Sequence, residues 1–155
     1  MQADRFTQKS LEAVNSLQKT AMDFGNQEIE QEHLLYVLLN QENSLILQMI
    51  EKMGIDANLF RNEVEAAINK RVKVQGGQPY VGQYLNYTLN YAENEAKKMG
   101  DEYVSVEHLF LAMLRHPSPS MKELFRQNGI TVDRFLQALQ SVRGNQKVTS
   151  DNPEE

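Results

Sequence analysis

Cysteine is missing from all 155 residues, which excludes disulfides, thiolate metal ligands and thiol nucleophiles together and agrees with a reducing compartment. Long apolar runs are missing too. No stretch approaches the roughly 18 apolar residues of a membrane span. Met1 to Lys9 is polar and charged, without the apolar segment of a secretion signal. Charge of one sign is nowhere collected: 16 basic and 21 acidic residues give −5, and no block of either sign offers the footprint of a nucleic-acid binder. Strand-like alternation is nearly absent. Glycine and proline are scarce, but Gly76, Gly77, Pro79 and Gly82 crowd into seven residues and mark a linker. The expectation is a cytoplasmic helical protein that engages neither membrane nor nucleic acid.

Catalytic patterns are absent as well. Gly76-Gly77 is followed by Gln78-Pro79 and not by the lysine of a phosphate-binding loop, and no Gly-x-Ser-x-Gly elbow occurs. His33 and His108 each stand beside a glutamate but lack further donors at ligand spacing, so each imidazole is expected to pack or hydrogen-bond near a helix start. Glu28/Glu30 and Glu154/Glu155 read as solvated surface acids. The chain is expected to be non-catalytic, with no metal and no cofactor of its own.

What is present is a repeat. Glu32-His33-Leu34 returns 75 residues later as Glu107-His108-Leu109, Gly54-Ile55 as Gly129-Ile130, and Phe60 as Phe135, with no gap over about sixty positions. Such a period is one supersecondary unit built twice, each copy covering the other's apolar face. Helical spacing fills both copies. Phe6, Ser10, Val14, Leu17, Ala21 and Phe24 form a first helix ended at Gly25-Asn26. Leu34 to Leu39 lie on a second, Leu45 to Met53 on a third ended by Gly54, and Phe60, Val64 and Ile68 on a fourth begun by Asp56 or Asn58. The second copy runs through Leu85, Leu89, Ala92 and Ala96 to Gly100. It continues with a helix capped by Ser105, another after Pro117 and Pro119, and a last one from Thr131 or Asp133 to Gly144. The prediction is an all-α, pseudo-twofold single domain of about eight helices over 1–144. Repeat one covers about 5–70, the linker 71–82 and repeat two about 83–144. Val72 and Val74 could add a scrap of extended chain, and the polar 145–155 reads as a flexible linker outside the core.

Tyr80, Tyr84, Tyr87 and Tyr91 are spaced four, three and four apart. They lie roughly 140° around the helix from the Leu85, Leu89, Ala92, Ala96 stripe. Two readings stay open: tyrosines that cover the linker or core rim, or an exposed contact surface with apolar area and wettable tips.

The paired Glu-His-Leu helices and Gly-Ile turns resemble the Clp repeat, found twice in the N-terminal domain of Clp-type AAA+ unfoldases. Asp4-Arg5-Phe6-Thr7, the run Gly100 to Leu109, Arg143-Gly144, Val148-Thr149 and Pro153-Glu154 are similar to ClpB-type disaggregases. That resemblance implies a double Clp repeat fold that engages unfolded or aggregated clients. It further implies a full-length homohexamer that uses ATP and Mg and works with the DnaK chaperone system. It implies client-binding roles for Thr7, Asp101 and Glu107, and for an apolar patch of Leu89, Tyr91 and Leu109 extended by Tyr80, Tyr84 and Tyr87. Local capping is the competing reading for Thr7, Asp101 and Glu107. The competing use of the fold is adaptor docking, as in the protease-linked ClpA and ClpC unfoldases.

Overall fold

The computed structural model describes residues 3–153. A 3₁₀ turn at Ala3–Arg5 leads into α1 (Gln8–Asn15) and α2 (Leu17–Asp23), two segments of one helix interrupted at Ser16. There follow β1 (Glu28–Ile29), α3 (Gln31–Leu39), α4 (Leu45–Lys52) and α5 (Ala57–Asn69). The second half holds β2 (Tyr80–Val81), α6 (Gln83–Lys98), α7 (Val106–Arg115), α8 (Pro119–Gln127) and α9 (Val132–Arg143). Counting α1 and α2 as one, the described residues form eight α-helices in two sets of four, as the sequence predicts, the second set displaced from the first by 75 residues. The interruption has a local cause. Ser16 Oγ bonds the Ala13 carbonyl at 2.9 Å and Thr20 Oγ1 bonds the Ser16 carbonyl at 2.9 Å, which bends a helix. Tyr91 takes the place of Ser16 in α6, which runs unbroken.

Each long outer helix ends on a left-handed glycine. Gly25 has φ 75° and Gly100 φ 71°. In both, the next residue bonds back across the last turn: Asn26 N–H to Ala21 O at 2.8 Å and Asp101 N–H to Ala96 O at 2.9 Å. This motif aims residues 26 and 101 inward, where both are buried.

The two central helices, α3 and α7, are buried almost all round; every residue from Val106 to Met113 is buried. A helix apolar on every side belongs inside a core. Here α6 packs along α7, α5 along α3, and α4 reaches across to α7 and α9, so the repeats share one core. The expected scrap of strand falls elsewhere than Val72 and Val74. β1 pairs in parallel with β2, Ile29 opposite Val81, and a lone parallel bridge joins Phe6 to Val104. Those two contacts are one contact seen twice, because Phe6 and Val81 are 75 apart, as are Ile29 and Val104. Each repeat's entry strand lies on the other repeat, which interlocks the halves.

The segment after α9 also departs from expectation. Val148 is 4% exposed, its carbonyl accepts the Glu102 N–H at 2.9 Å, and the Asp151 carbonyl accepts the Gln8 N–H at 2.6 Å. The reason is that Asp101 and the first turn of α1 present acceptors and donors that a passing backbone satisfies. Glu154 and Glu155 lie outside the described residues.

Candidate functional site

The scaffold of the site is a pair of matching helix starts. His33 Nδ1 accepts the Glu30 N–H at 2.9 Å, and His108 Nδ1 accepts the Ser105 N–H at 2.8 Å. An acceptor nitrogen carries no proton, so the geometry assigns the proton to Nε2. His33 Nε2 then donates to Asn26 Oδ1 at 3.0 Å, and His108 Nε2 to Asp101 Oδ2 at 2.7 Å. Both rings are fully buried. Burial penalises the charged ring and lowers the His33 pKa from 6.5 to about 4. The histidines are thus structural caps, as the sequence reading expects.

Residues 26 and 101 differ because their second partners differ in polarity. In repeat one the exit chain presents a carbonyl, and Asn26 Nδ2 donates to Val72 O at 3.1 Å. In repeat two it presents an N–H, and Asp101 Oδ1 accepts from Val148 at 2.9 Å and from the Arg143 guanidinium. Burial alone pushes the Asp101 carboxyl up. The bonds from His108, Arg143 and Val148 outweigh it and hold it at about 2, against an ordinary 3.8. Arg143 Nη1 also reaches Glu107 Oε2 at 3.3 Å, whose other oxygen is bonded by Ser105 Oγ. The matching Glu32 is held at 3.0 Å by Arg71, which also grips Glu28.

Thr7 caps α1, its Oγ1 accepting the Ser10 N–H at 3.2 Å, and it has no exposed surface. Of the three polar residues expected to touch a ligand, all are therefore buried. They meet around one feature, the exit segment: Asp101 binds Val148, Glu107 shares Arg143 with Asp101, and Gln8, next to Thr7, binds Asp151. Leu109 is likewise fully buried and Leu89 is 8% exposed, so neither opens to a ligand. The cause is the all-round burial of α7 and the packing of α6 along it.

Tyr84, Tyr87 and Tyr91 lie on the outer side of α6, with Tyr80 before it. Tyr80, Tyr87 and Tyr91 are 53%, 40% and 38% exposed, and Tyr84 is half-buried. Tyr84 meets Tyr87 edge-on with centroids 6.5 Å apart, Tyr87 meets Tyr91 at 6.3 Å, and Tyr91 stacks on His116 at 4.4 Å. Three tyrosines and a histidine thus form one continuous aromatic row, ending at the C-cap of α7. Tyr80 stands apart from it, on β2.

A residue the sequence reading passed over anchors the end of that row. Gln31 is fully buried; its Nε2 donates to Thr88 Oγ1 at 3.0 Å and to the His116 carbonyl at 2.9 Å, and its Oε1 accepts the Ser118 N–H at 2.9 Å. The matched positions in the other half are Val106 and Ala13, both apolar and buried. That exchange of a polar pair for an apolar pair was the signal available in the repeat alignment.

A second compensating exchange caps α6. Its N-cap is Gly82, matched to Thr7, and has no side chain to offer. Glu30, matched to Ser105, supplies the acceptor instead: its Oε1 takes the Leu85 N–H at 2.9 Å. Burial raises the Glu30 carboxyl above its usual 4.5, with the Leu85 bond pulling the other way. Among the described residues no group of three or more His, Cys, Asp or Glu is placed to hold a metal, and no helix is long and apolar enough to cross a membrane.

Comparison with known proteins places this geometry. Residues 5–128 match the family profile of the Clp repeat N-terminal domain. The chaperone protein ClpB of Nitratidesulfovibrio vulgaris is 37% identical over 161 residues, covering 100% of this chain. This chain spans 19% of that protein's length. The Hsp104 N-terminal domain from Candida albicans superposes with a TM-score of 0.80 at 20% identity, over 97% of this chain and 99% of that one. A ClpV N-domain in complex with a VipB peptide superposes with a TM-score of 0.72 at 20% identity, over 99% and 92%. With the match running through both Glu-His-Leu helices and the cross-pairs that interlock them, the chain belongs to the Clp repeat N-terminal domain family.

Proposed function

We propose that this chain is the client-engaging domain of a ClpB-type disaggregase, which binds unfolded or aggregated polypeptide weakly and passes it to the pore of a hexameric ATPase. ATP and Mg act in modules outside this chain, and the full protein works in the cytoplasm as a homohexamer with the DnaK chaperone system. The observation that carries the reading is the exposed row Tyr84, Tyr87, Tyr91 and His116 on a rigid helix. Such a surface offers apolar area and hydrogen-bonding tips without demanding a sequence, which suits transient contact with unfolded chains. A structural neighbour, the ClpV N-domain, holds a peptide. Tyr80 extends the surface toward β2. Leu89 and Leu109 support it from beneath, Asp101 and Glu107 contribute by holding Val148 and Arg143, and Thr7 by capping α1.

The test is titration of a permanently unfolded protein, such as reduced carboxymethylated α-lactalbumin, into this chain and a Tyr87→Ala/Tyr91→Ala variant. The expected result is at least about a tenfold loss of affinity, the equivalent of about 1.4 kcal/mol. Equal affinity in both proteins overturns the proposed surface.

A further inference from the structure

The outer face of α6 is uncharged where the matching face of repeat one is not. From Val74 to Ala92 there is no Asp, Glu, Lys or Arg, the longest such run in the chain. A shift of 75 residues sets Lys9 at the position of Tyr84, Glu12 at that of Tyr87 and Lys19 at that of Asn94. The inner faces keep their role in both copies: Ala13, Leu17 and Ala21 are buried, as are Thr88, Ala92 and Ala96. The exchange of charge for neutral aromatic and amide groups is therefore confined to the side turned away from the core.

That neutral face is also organised. Gln83 Nε2 donates to the Tyr87 hydroxyl at 3.2 Å, and the Tyr87 ring is held between those of Tyr84 and Tyr91. Asn90 and Asn94 stand three residues after Tyr87 and Tyr91, on neighbouring positions of the helix surface, and both are exposed. Each amide side chain offers donors and an acceptor, the complement of a peptide group. Beyond Tyr91 the charges engage one another: Glu95 accepts from Arg115 at 2.8 Å and from Lys98 at 3.5 Å. A charged side chain pressed onto the row would lose its water and meet no free counter-charge. Complementarity thus calls for an uncharged partner.

The spacing of the rings bears on the partner's conformation. Their centroids are 6.5 Å apart from Tyr84 to Tyr87 and 6.3 Å from Tyr87 to Tyr91. Side chains on one face of an extended chain recur every two residues, about 6.8 Å. Successive turns of a helix recur at about 5.4 Å, a poorer match.

We infer that this face selects extended segments that are uncharged and carry aromatic or β-branched side chains at alternate positions. Those side chains rest on the rings of Tyr84, Tyr87 and Tyr91, and the backbone between them bonds the amides of Asn90 and Asn94. Selection is by charge and by alternation, with no fixed sequence. The inference rests on the reading of the row as a polypeptide surface and adds which polypeptide it takes.

The probe is the capped peptide Ser-Phe-Asn-Val-Ser-Phe-Asn-Val-Ser, carrying an uncharged NBD dye and read by anisotropy. Two charged forms replace two of its serines by Glu or by Lys. A fourth peptide, Ser-Asn-Ser-Phe-Phe-Val-Val-Asn-Ser, keeps the composition and removes the alternation. Each is titrated with this chain, with Tyr87→Ala/Tyr91→Ala and with Tyr87→Glu, which copies Glu12; matching thermal midpoints confirm that the variants fold. The Glu, Lys and non-alternating peptides are each expected to bind at least about fivefold more weakly than the alternating neutral one. Tyr87→Glu is expected to prefer the Lys peptide over the Glu peptide at least about fivefold, where the unaltered face treats them alike. Charged peptides that bind as tightly as the neutral one, a non-alternating peptide that matches it, or a Tyr87→Glu face indifferent to sign overturns the inference. If Tyr87→Ala/Tyr91→Ala still loses binding in that case, the tyrosine surface stands and only its selectivity is gone. If the double variant binds every peptide as this chain does, the surface itself falls. Binding of maltohexaose in place of all four peptides gives the face to a neutral glycan and overturns both.

Discussion

The Glu30 carboxylate occupies the space that a side chain on Gly82 would fill: a Cβ there would lie 2.2 Å from Glu30 Oε1. In the matched pair, Thr7 caps its own helix and Ser105 leaves room for it. One cap is therefore local and the other is lent across the repeat boundary.

This relationship predicts compensation. Gly82→Thr alone evicts Glu30 and costs about 1–3 kcal/mol of stability, through overpacking and a lost acceptor. Adding Glu30→Ser recreates the Thr7 and Ser105 arrangement and recovers part of that loss. Chemical denaturation of the single and double variants reads it. A double variant as unstable as the sum of its singles would remove the proposed exchange.

Asp101 is the joint between the last helix and the exit segment. Asp101→Asn leaves one oxygen for the His108, Arg143 and Val148 donors, and destabilises by about 2–4 kcal/mol. Amide hydrogen exchange at 146–151 speeds up with it. If exchange there is unchanged while stability falls, Asp101 matters for the core alone.

Acid acts through named groups. The folded-state pKa of His33 is about 4, below its ordinary 6.5. Its contribution is complete above 6.5 and is lost as pH falls toward 4, because the unfolded chain takes a proton that the folded ring refuses. Asp101, at about 2 against 3.8, adds a loss in the range below 3.8. Glu30 runs the other way: its folded pKa is raised, so its contribution is complete below 4.5 and is lost as pH rises through the folded value. Thermal midpoints are expected to drop between pH 7 and pH 5, and to drop less in a His33→Gln variant. Identical drops in the two proteins would exonerate His33.

Gln31→Val copies Val106 but strands the Ser118 N–H and the His116 carbonyl. It is expected to cost about 1–3 kcal/mol and to shift the Tyr91 ring resonances, since His116 loses its support. Adding Thr88→Ala, which copies Ala13, recovers only part, because Ser118 is still unpaired. Unmoved Tyr91 resonances would show that the aromatic row stands without Gln31.

Much of the fold is written in spacing. Apolar residues three and four apart specify each helix locally, and Gly25, Gly54, Gly100 and Gly129 stop helices because a left-handed turn favours glycine. The equivalence of the halves follows from the 75-residue offset. The split at Ser16 is less visible, because a serine hydroxyl can face solvent or bond back into its helix with the same sequence around it.

The site was legible only in outline. The tyrosine spacing placed three rings in a row on α6, but stacking of Tyr91 on His116 needs α6 and α7 packed together. Thr7, Asp101 and Glu107 read equally well as client contacts and as caps until α9 and the exit segment close over them. Asn26 against Asp101, Gln31 against Val106 and Glu30 against Ser105 were visible as mismatches between copies. Their partners were not, because each lies far away in the chain: Val72, Ser118 and Leu85 for the first copy, Val148 for the second.

By itself, then, the sequence determined the helices, their ends and the twofold plan, since these depend on neighbours within a few residues and on a period. Tertiary structure decided which carboxylates are buried, which tyrosines meet, and which distant backbone groups each buried side chain bonds. Those outcomes depend on chain segments that approach only after the core has formed, and hydrogen-bond partners of that kind leave no local trace.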